Sequence, residues 1–265
     1  MKRTLLAMVS AVMFAASAAQ AADMPVKAMP APPPPAWSWT GFYIGGNVGY
    51  SSADHQSSDA HLFSPAGVEQ MQTSFTQAPS GWLGGFQAGY NWQASSVVFG
   101  VEGDWSWTNQ KDSGCGIAGM ACTNTPSPNG LSTYSESIDW VGTARGRIGW
   151  AQDHWLLYVT GGGAWTRVNT NLAINCPAGC GNLGGPTVGA GSFTDNRDGW
   201  ADGAGAEVML AANWSAKVEY QHLDFGTVSH VVVGAPIASF VTLNDKIRDN
   251  IIRFGLNYKF GWGAY

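Results

Sequence analysis

Four cysteines are the residues of this chain whose spacing most directly suggests covalent chemistry. They form two close pairs in Gly- and Pro-containing stretches, Cys115 with Cys122 and Cys176 with Cys180. An even number of cysteines with local pairing predicts two short disulfides in an exported chain. A site with four cysteine ligands is the alternative, but structural zinc usually binds cysteines paired two residues apart. The spacing therefore favours disulfides, and no metal or other cofactor is expected.

The histidines offer a second kind of chemistry, because a histidine held beside a carboxylate can serve as a general base. His222 lies two residues before an aspartate, and His55, His61 and His230 fall in predicted loops near many serines. By alternation, however, His222 shares an apolar strand face with Tyr220, which favours an interfacial histidine over a catalytic one. A hydrolase stays open as a remote alternative, and no catalytic residue is assigned.

Ten charged residues form a third set, because they all fall on one parity of alternating segments. The acids are Glu102, Asp104, Asp139, Glu207 and Glu219, and the bases are Arg145, Arg147, Lys217, Arg253 and Lys259. The rest of this parity is mostly Gly, Asn, Gln, Ser and Thr, as expected where side chains crowd into a narrow interior and satisfy one another. We therefore predict that these residues form a lumen charge network.

The elements that must position these charges are eight segments in which polar and apolar residues alternate, as in a strand with one apolar face. The clearest is RFGLNYKF, from Arg253 to Phe260. The predicted strands span 40–51, 81–93, 97–108, 137–150, 155–165, 200–210, 214–223 and 251–260. The fifth contains WLLYV, which is apolar on both parities, and we expect Leu156, Tyr158 and Ala164 to face outward.

The connections between these strands alternate between short and long. The short ones fall near 94–96, 151–153 and 211–213, and the long ones span 52–80, 109–136, 166–199 and 224–249. This order places both ends of the chain on the short-turn side. In the last long connection, 231–233 and 239–243 could form a further hairpin, which leaves a ten-stranded barrel open as an alternative.

Aromatic residues gather at both ends of the apolar strand faces. Trp39, Trp92, Trp150, Trp155, Trp214 and Phe260 lie near the short turns, and Tyr50, Trp82, Trp107, Trp165 and Trp200 lie near the long connections. Two such belts on strands of about ten residues are typical of a transmembrane barrel, and a soluble sandwich gives no reason for them. The sequence predicts an all-β fold, an eight-stranded antiparallel transmembrane β-barrel with short periplasmic turns and long extracellular loops.

The amino-terminal residues predict export. Lys2 and Arg3 precede a short apolar run and the small-residue pattern Ala19-Gln20-Ala21, as in a secretory signal peptide. We expect a signal peptide at 1–21, a proline-rich periplasmic segment at 22–38 and the barrel at 39–265. The formal net charge is −5 and no basic tract is present, which argues against nucleic acid as a partner.

Three stretches resemble one known family. WTGFYIGGNVGY (39–50), NWSAKVEYQHLDFG (213–226) and IRFGLNYKF (252–260) resemble the small porin-like outer-membrane proteins of α-proteobacteria, surface-antigen barrels similar in architecture to the OmpA transmembrane domain. The resemblance implies a location in the outer membrane of a Gram-negative bacterium. It also implies lipid and lipopolysaccharide as surroundings, and a terminal aromatic residue read by the barrel-assembly machinery. Either Phe260 or Tyr265 could be that signal.

The predicted function follows from the small size of the barrel. The interior of an eight-stranded barrel is just filled by side chains, so paired charges would plug it. We expect a structural, surface-exposed protein of antigen or adhesion type with at most weak porin-like conductance, and no enzyme. A channel for small solutes is the alternative, and no extracellular partner can be named.

Overall fold

The computed structural model describes residues 37–53, 56–115, 131–176, 187–233 and 240–260. Among these residues, no helix is long and apolar enough to cross a membrane. Every regular element is a β-strand. The strands are β1 (Gly41–Ala53), β2 (Gln56–Phe63), β3 (Glu69–Gln77), β4 (Ser80–Ala94), β5 (Val97–Thr108), β6 (Lys111–Cys115), β7 (Leu131–Gln152), β8 (Trp155–Cys176), β9 (Thr187–Ala211), β10 (Trp214–Val233) and β11 (Phe240–Lys259).

Eight of these strands close into a barrel, which confirms the predicted fold. Antiparallel pairing runs through β1, β4, β5, β7, β8, β9, β10 and β11. The last strand returns to the first, with pairs from Tyr43 opposite Lys259 to Ala53 opposite Asp249. Tight turns join β4 to β5, β7 to β8 and β9 to β10. All three lie at one end of the barrel, which we call the short-turn end.

The predicted long loops are in part strands, and there the prediction was wrong. β7, β8, β9, β10 and β11 continue beyond the apolar band, and the hairpin of β2 and β3 joins them by pairing with β11. β6 pairs with the start of β7. The arms of the suggested extra hairpin do pair, as Val231 with Thr242, but they only prolong β10 and β11. The ten-stranded alternative is therefore wrong.

Two rows of aromatic side chains bound an apolar outer surface. Trp92, Trp150, Trp155 and Trp214 are exposed towards the short-turn end, and Tyr50, Trp82, Trp107, Trp165 and Trp200 are exposed towards the other end. The rows are about ten residues apart, as from Trp155 to Trp165. At roughly 3.3 Å per residue and a tilt of about 40°, this gives an apolar band about 25 Å tall, the height of a bilayer's hydrocarbon region in such barrels.

Five predicted side-chain directions were wrong. Trp39 is buried and lies in no belt. In β8, Leu156, Tyr158 and Ala164 are buried while Leu157 faces outward, because a segment that is apolar on both parities carries no orientation signal. In β7, a bulge between Ile138 and Trp140 shifts the register by one residue. The residue at the bulge, Asp139, is consequently exposed.

Candidate functional site: a charged cluster in the barrel interior

Eight charged side chains meet in the barrel interior, and we call them the central ion cluster. They are Glu102 and Asp104 on β5, Arg145 and Arg147 on β7, Glu207 on β9, Lys217 and Glu219 on β10, and Arg253 on β11. Each side chain is at most 3% exposed. Alternate residues of a strand point to the same face, so the period-two spacing of these residues places them all inward.

Arg145 is the centre of the cluster. Its Nη2 lies 2.8 Å from Glu102 Oε1 and 3.0 Å from Asp104 Oδ2, and its Nη1 lies 3.0 Å from Glu219 Oε1. Its Nε donates to the hydroxyl of Thr143 at 2.8 Å. One guanidinium therefore joins three carboxylates from two different strands, and no donor edge of the group faces water.

Arg253 and Lys217 complete the central charges. Arg253 Nη1 lies 2.8 Å from Asp104 Oδ1, and its Nη2 lies 2.7 Å from Glu219 Oε1. Lys217 Nζ donates to both oxygens of Glu102, at 2.7 and 2.8 Å. Because these contacts cross the lumen between β5, β10 and β11, they tie opposite walls of the barrel together.

Arg147 binds on the short-turn side of the cluster. Its Nη1 lies 3.1 Å from Glu207 Oε2. Its guanidinium lies 5.0 Å from the ring centroid of Tyr43 and 5.1 Å from that of Tyr158, within cation–π range of both. Each tyrosine hydroxyl donates to a carboxylate of the cluster, at 2.8 and 2.6 Å. The aromatic rings therefore fill the space that the charges leave.

The balance of charge determines what this arrangement can do. Four acids meet four bases, and buried charges are tolerated where opposite charges and hydrogen bonds compensate them. Every carboxylate of the cluster accepts from at least one cation, so none is left as an unengaged general base. A solute crossing the barrel would have to break several of these contacts. The cluster therefore fills its level of the barrel interior with compensated charges.

A second packed level of the interior lies at the short-turn end. The side chain of Trp39 is 2% exposed and packs in a cluster with Val98, Ala151, Leu156 and Met209. The backbone N–H of Trp39 donates to Oε1 of Gln93 at 2.7 Å. Trp39 thus lies in the barrel mouth and helps form an apolar layer on the short-turn side of the charged cluster.

Two predicted members of the lumen charge network lie outside the cluster. Asp139 is exposed and accepts from Asn169 Nδ2 at 2.9 Å. Lys259 lies at the short-turn end, where its Nζ donates to the carbonyl of Ser38. The bulge in β7 explains the first difference, and the position of Lys259 at the very end of β11 explains the second.

The two candidate assembly residues differ in what the structure shows. Phe260 follows β11, and its N–H donates to the carbonyl of Phe42 at 2.9 Å. Its ring lies 5.7 Å from that of Phe42 and 5.2 Å from that of Tyr258. Phe260 therefore completes the junction of β11 with β1 beside the apolar band. Tyr265 lies outside the described residues.

The predicted disulfides cannot be placed, because Cys122 and Cys180 lie outside the described residues. β6 ends at Cys115 and β8 ends at Cys176. Both strand ends lie at the end of the barrel opposite the short turns. Pairing of these cysteines stays a prediction.

The histidines show no nucleophile–base pair within the described contacts. His222 faces outward, with Nδ1 3.0 Å from Asn250 Oδ1 and its ring 5.7 Å from that of Trp200. His61 Nδ1 lies 2.9 Å from Glu69 Oε1. The partners are an amide and a carboxylate, so neither histidine activates a hydroxyl in this arrangement.

Sequence reasoning missed a second buried polar group, beyond the apolar band. Glu136 is 2% exposed, and its Oε2 accepts from the hydroxyl of Tyr134 at 2.7 Å. Burial, and after it the nearby carboxylate of Asp245, raise the pKa of Glu136 to about 8. Asp245 is held by Arg197, with Nη2 and Oδ2 3.0 Å apart. The bulge reverses the parity of β7, so simple alternation hid Glu136.

Comparisons with known proteins agree with this architecture. The model of the family described as outer membrane protein beta-barrel domain matches residues 6–260. The 31 kDa outer-membrane immunogenic protein of Brucella melitensis biotype 1 is 36% identical, over 98% of this chain and 100% of that protein. The 22 kDa outer membrane protein of Rhizobium leguminosarum bv. viciae is 28% identical, over 88% of this chain and 83% of that protein.

Among solved structures, the outer membrane protein OprG from Pseudomonas aeruginosa has a similar fold. Its TM-score is 0.51 with 11% sequence identity, and the match covers 84% of this chain and 98% of that one. The predicted family resemblance and the predicted location in a Gram-negative outer membrane are confirmed by the family match and the relatives. The short-turn end is accordingly the periplasmic end. This chain belongs to the outer membrane protein beta-barrel domain family.

Proposed function

We propose that this protein is a structural, surface-exposed component of the outer membrane whose barrel is closed to solutes. The central ion cluster carries this proposal: its eight charges compensate one another and their side chains are at most 3% exposed, which supports a lumen without a polar path. The apolar layer around Trp39 adds a second obstruction. The relatives named as immunogenic proteins support a role in which the parts outside the membrane meet the environment.

The surface that the barrel presents is an extended sheet. Beyond the outer aromatic row, polar side chains pair across neighbouring strands, as Asn169 with Thr194 and Asn171 with Ser192. Such a face is hydrated and regular, which suits contact with lipopolysaccharide sugars or with proteins outside the cell. We propose no catalytic activity, since the described histidines lack a nucleophile partner and the relatives carry no enzymatic name.

Planar-bilayer recording tests the closed barrel. The purified protein is expected to give no steady channel openings. Arg253→Met and Glu207→Gln are each expected to raise the leak current across the bilayer, because each change leaves an opposite charge of the cluster uncompensated. Asp153→Asn is the matched control, because it removes an acid from an exposed periplasmic turn. Steady openings of the unaltered protein that shift in size with Glu207→Gln would show a solute channel and contradict the proposal.

Surface labelling of intact cells tests the exposed role. An epitope inserted between Ala66 and Gly67, in the turn joining β2 to β3, is expected to bind antibody without permeabilisation. The same epitope inserted between Asp153 and His154, in the periplasmic turn, is expected to bind only after permeabilisation. Equal labelling of the two insertions in intact cells would contradict both the orientation and the surface role.

A further inference from the structure

The barrel wall has a seam beyond the membrane band. The backbone ladder between β9 and β10 ends at Trp200 opposite Asp224, although both strands continue, to Thr187 and Val233. The neighbouring ladders do not end there: β8 pairs with β9 as far as Thr187, and β10 pairs with β11 as far as Val233. In the described part of the outer sheet, β9 and β10 are therefore joined there by side-chain contacts instead of backbone hydrogen bonds. We call this line the β9–β10 seam.

Two side-chain contacts bridge this seam. His230 Nε2 on β10 lies 2.9 Å from Asp195 Oδ2 on β9, and the ring of Phe193 stacks on His230 with centroids 4.3 Å apart. Arg197 on β9 reaches past β10 to Asp245 on β11, at 3.0 Å. The second bridge depends on charge, because Arg197 and Asp245 carry opposite charges.

Several acids lie in the interior behind the seam. Glu136, Asp245 and Asp249 are buried, Asp195 is partly buried, and Arg197 is the permanent base among them. Asp249 accepts from the hydroxyl of Ser51 and from the side-chain amide of Gln110, at 2.5 and 2.9 Å. Carboxyl groups buried close to one another disfavour each other's ionisation, which favours a bound proton on one of them.

Glu136 is the acid that the geometry marks as the proton carrier. Its Oε1 is buried and has no hydrogen-bond partner in the described structure, and neither has the hydroxyl of Thr170, its pair across β8. An ionised carboxylate would leave that oxygen uncompensated, whereas a protonated one gains a donor. The raised pKa of Glu136, about 8, agrees with this assignment.

The surroundings of Glu136 favour a proton over a metal ion. Three charged groups act on it: Asp245 on β11, Arg197 on β9 and Asp112 on β6. Tyr134 on β7 donates a hydrogen bond to it, and its neighbour on β8 is the uncharged Thr170. His230 and Asp195 lie along the seam. Within the described residues, no three His, Cys, Asp or Glu side chains form a metal-binding group. The guanidinium of Arg197 would also repel a cation placed between the acids.

We propose that Glu136 is a proton-binding site whose occupancy controls the β9–β10 seam. While Glu136 holds its proton, Arg197 binds Asp245 and bridges the seam. Once Glu136 ionises, it competes for Arg197, whose Nε has no partner, and it repels Asp245. Rising pH therefore loosens the seam, and falling pH closes it.

The sign of the effect follows from linkage. A carboxyl with a raised folded-state pKa binds more protons in the folded state, so its contribution is present below about pH 4.5 and is lost as the pH rises to about 8. Hydrogen exchange of the full protein in lipid nanodiscs at pH 6 and pH 9, corrected for intrinsic rates, measures this. Exchange in 188–199 and 225–233 is expected to rise on the order of tenfold or more, while exchange in 155–165 stays unchanged.

Glu136→Gln tests the role of the proton while keeping a side chain of the same shape, because glutamine mimics the protonated acid at every pH. Its seam is expected to stay protected at pH 9, whereas the matched control Asp139→Asn, which removes an exposed acid from the same strand, is expected to keep the unaltered response. A seam in the unaltered protein that exchanges equally at both pH values would overturn the proposal even if Glu136→Gln does not fold. Restoration of protection at pH 9 by calcium would also overturn it, by making a metal the occupant.

Discussion

At the scale of single residues, Glu219 shows how the barrel interior is held. It accepts from Arg145, Arg253, Gln221 and Tyr158, at distances between 2.6 and 3.0 Å. These donors come from β7, β8, β10 and β11, so one carboxylate connects half of the barrel strands. A buried ion group of this kind adds little stability over an apolar core, but the loss of one member leaves its partners uncompensated.

Glu219→Gln is therefore expected to lower the free energy of unfolding by about 3 kcal/mol or more, as for the breaking of other buried ion pairs. Urea-induced unfolding of the protein refolded into lipid vesicles, followed by tryptophan fluorescence, measures this. Asp153→Asn removes the same charge from an exposed turn and is expected to change stability by less than about 0.5 kcal/mol. Similar losses of unfolding free energy in the two variants would contradict the prediction, because a charge in the cluster would then contribute no more to stability than one in an exposed turn.

Alternation in the sequence assigned ten charged residues to the inward face, because side chains along a strand have a strict period of two, and eight of them lie in the cluster. It failed at Asp139, where an extra residue in β7 reverses the parity, and at Lys259, where the strand ends. The pairing of individual charges could not be predicted. It depends on the stagger between strands, and the sequence of one strand does not contain that information.

At the scale of elements, the outer sheet is the part that the sequence did not reveal. Within the membrane band, one strand face meets lipid and the other meets the interior, so apolar and polar residues alternate. Beyond the band, the outward face meets water, and both faces carry polar residues, as Asn169 and Thr170 do in β8. Without contrast between the faces, these strands look like loops, although their backbone hydrogen bonds continue across the sheet.

The bulge of β10 depends on a glycine in the left-handed region. Gly226 has φ +69°, and its N–H donates to Asp224 Oδ1 at 2.9 Å. Gly226→Val is expected to destabilise the protein by about 1–2 kcal/mol, because a β-branched residue is strained at this φ. Gly226→Asn is the control and should cost less, since asparagine tolerates this conformation. Equal urea midpoints for the two variants would contradict the argument.

At the scale of the whole molecule, closure of the barrel and its entry into the membrane are one property. The junction of β11 with β1 uses the two ends of the barrel domain, so it can form only after all eight barrel strands are present. A closed barrel leaves no unpaired edge in lipid, where unpaired backbone groups would be costly. The folded molecule is therefore expected to migrate faster than the heated one on a denaturing gel.

That mobility difference also tests which aromatic residue the assembly machinery reads. Phe260→Ala is expected to reduce the fast-migrating form in outer-membrane fractions several-fold, because Phe260 completes the β11–β1 junction and packs on Phe42. Tyr265→Ala is the matched change and is expected to leave the fast form near its normal level. The reverse ranking would assign the assembly signal to the last residue of the chain.

The outer sheet also restricts how the exposed part of this protein can change over time. In β8, Arg167, Asn171 and Ala173 are open to the surroundings and Asn169 is partly open, whereas Val168, Thr170 and Leu172 are enclosed. An immune receptor or a phage can contact only the open positions, and only these can vary without disturbing the interior. Sequence differences among related strains should therefore recur at every second residue, at the outward positions, while the inward positions stay the same.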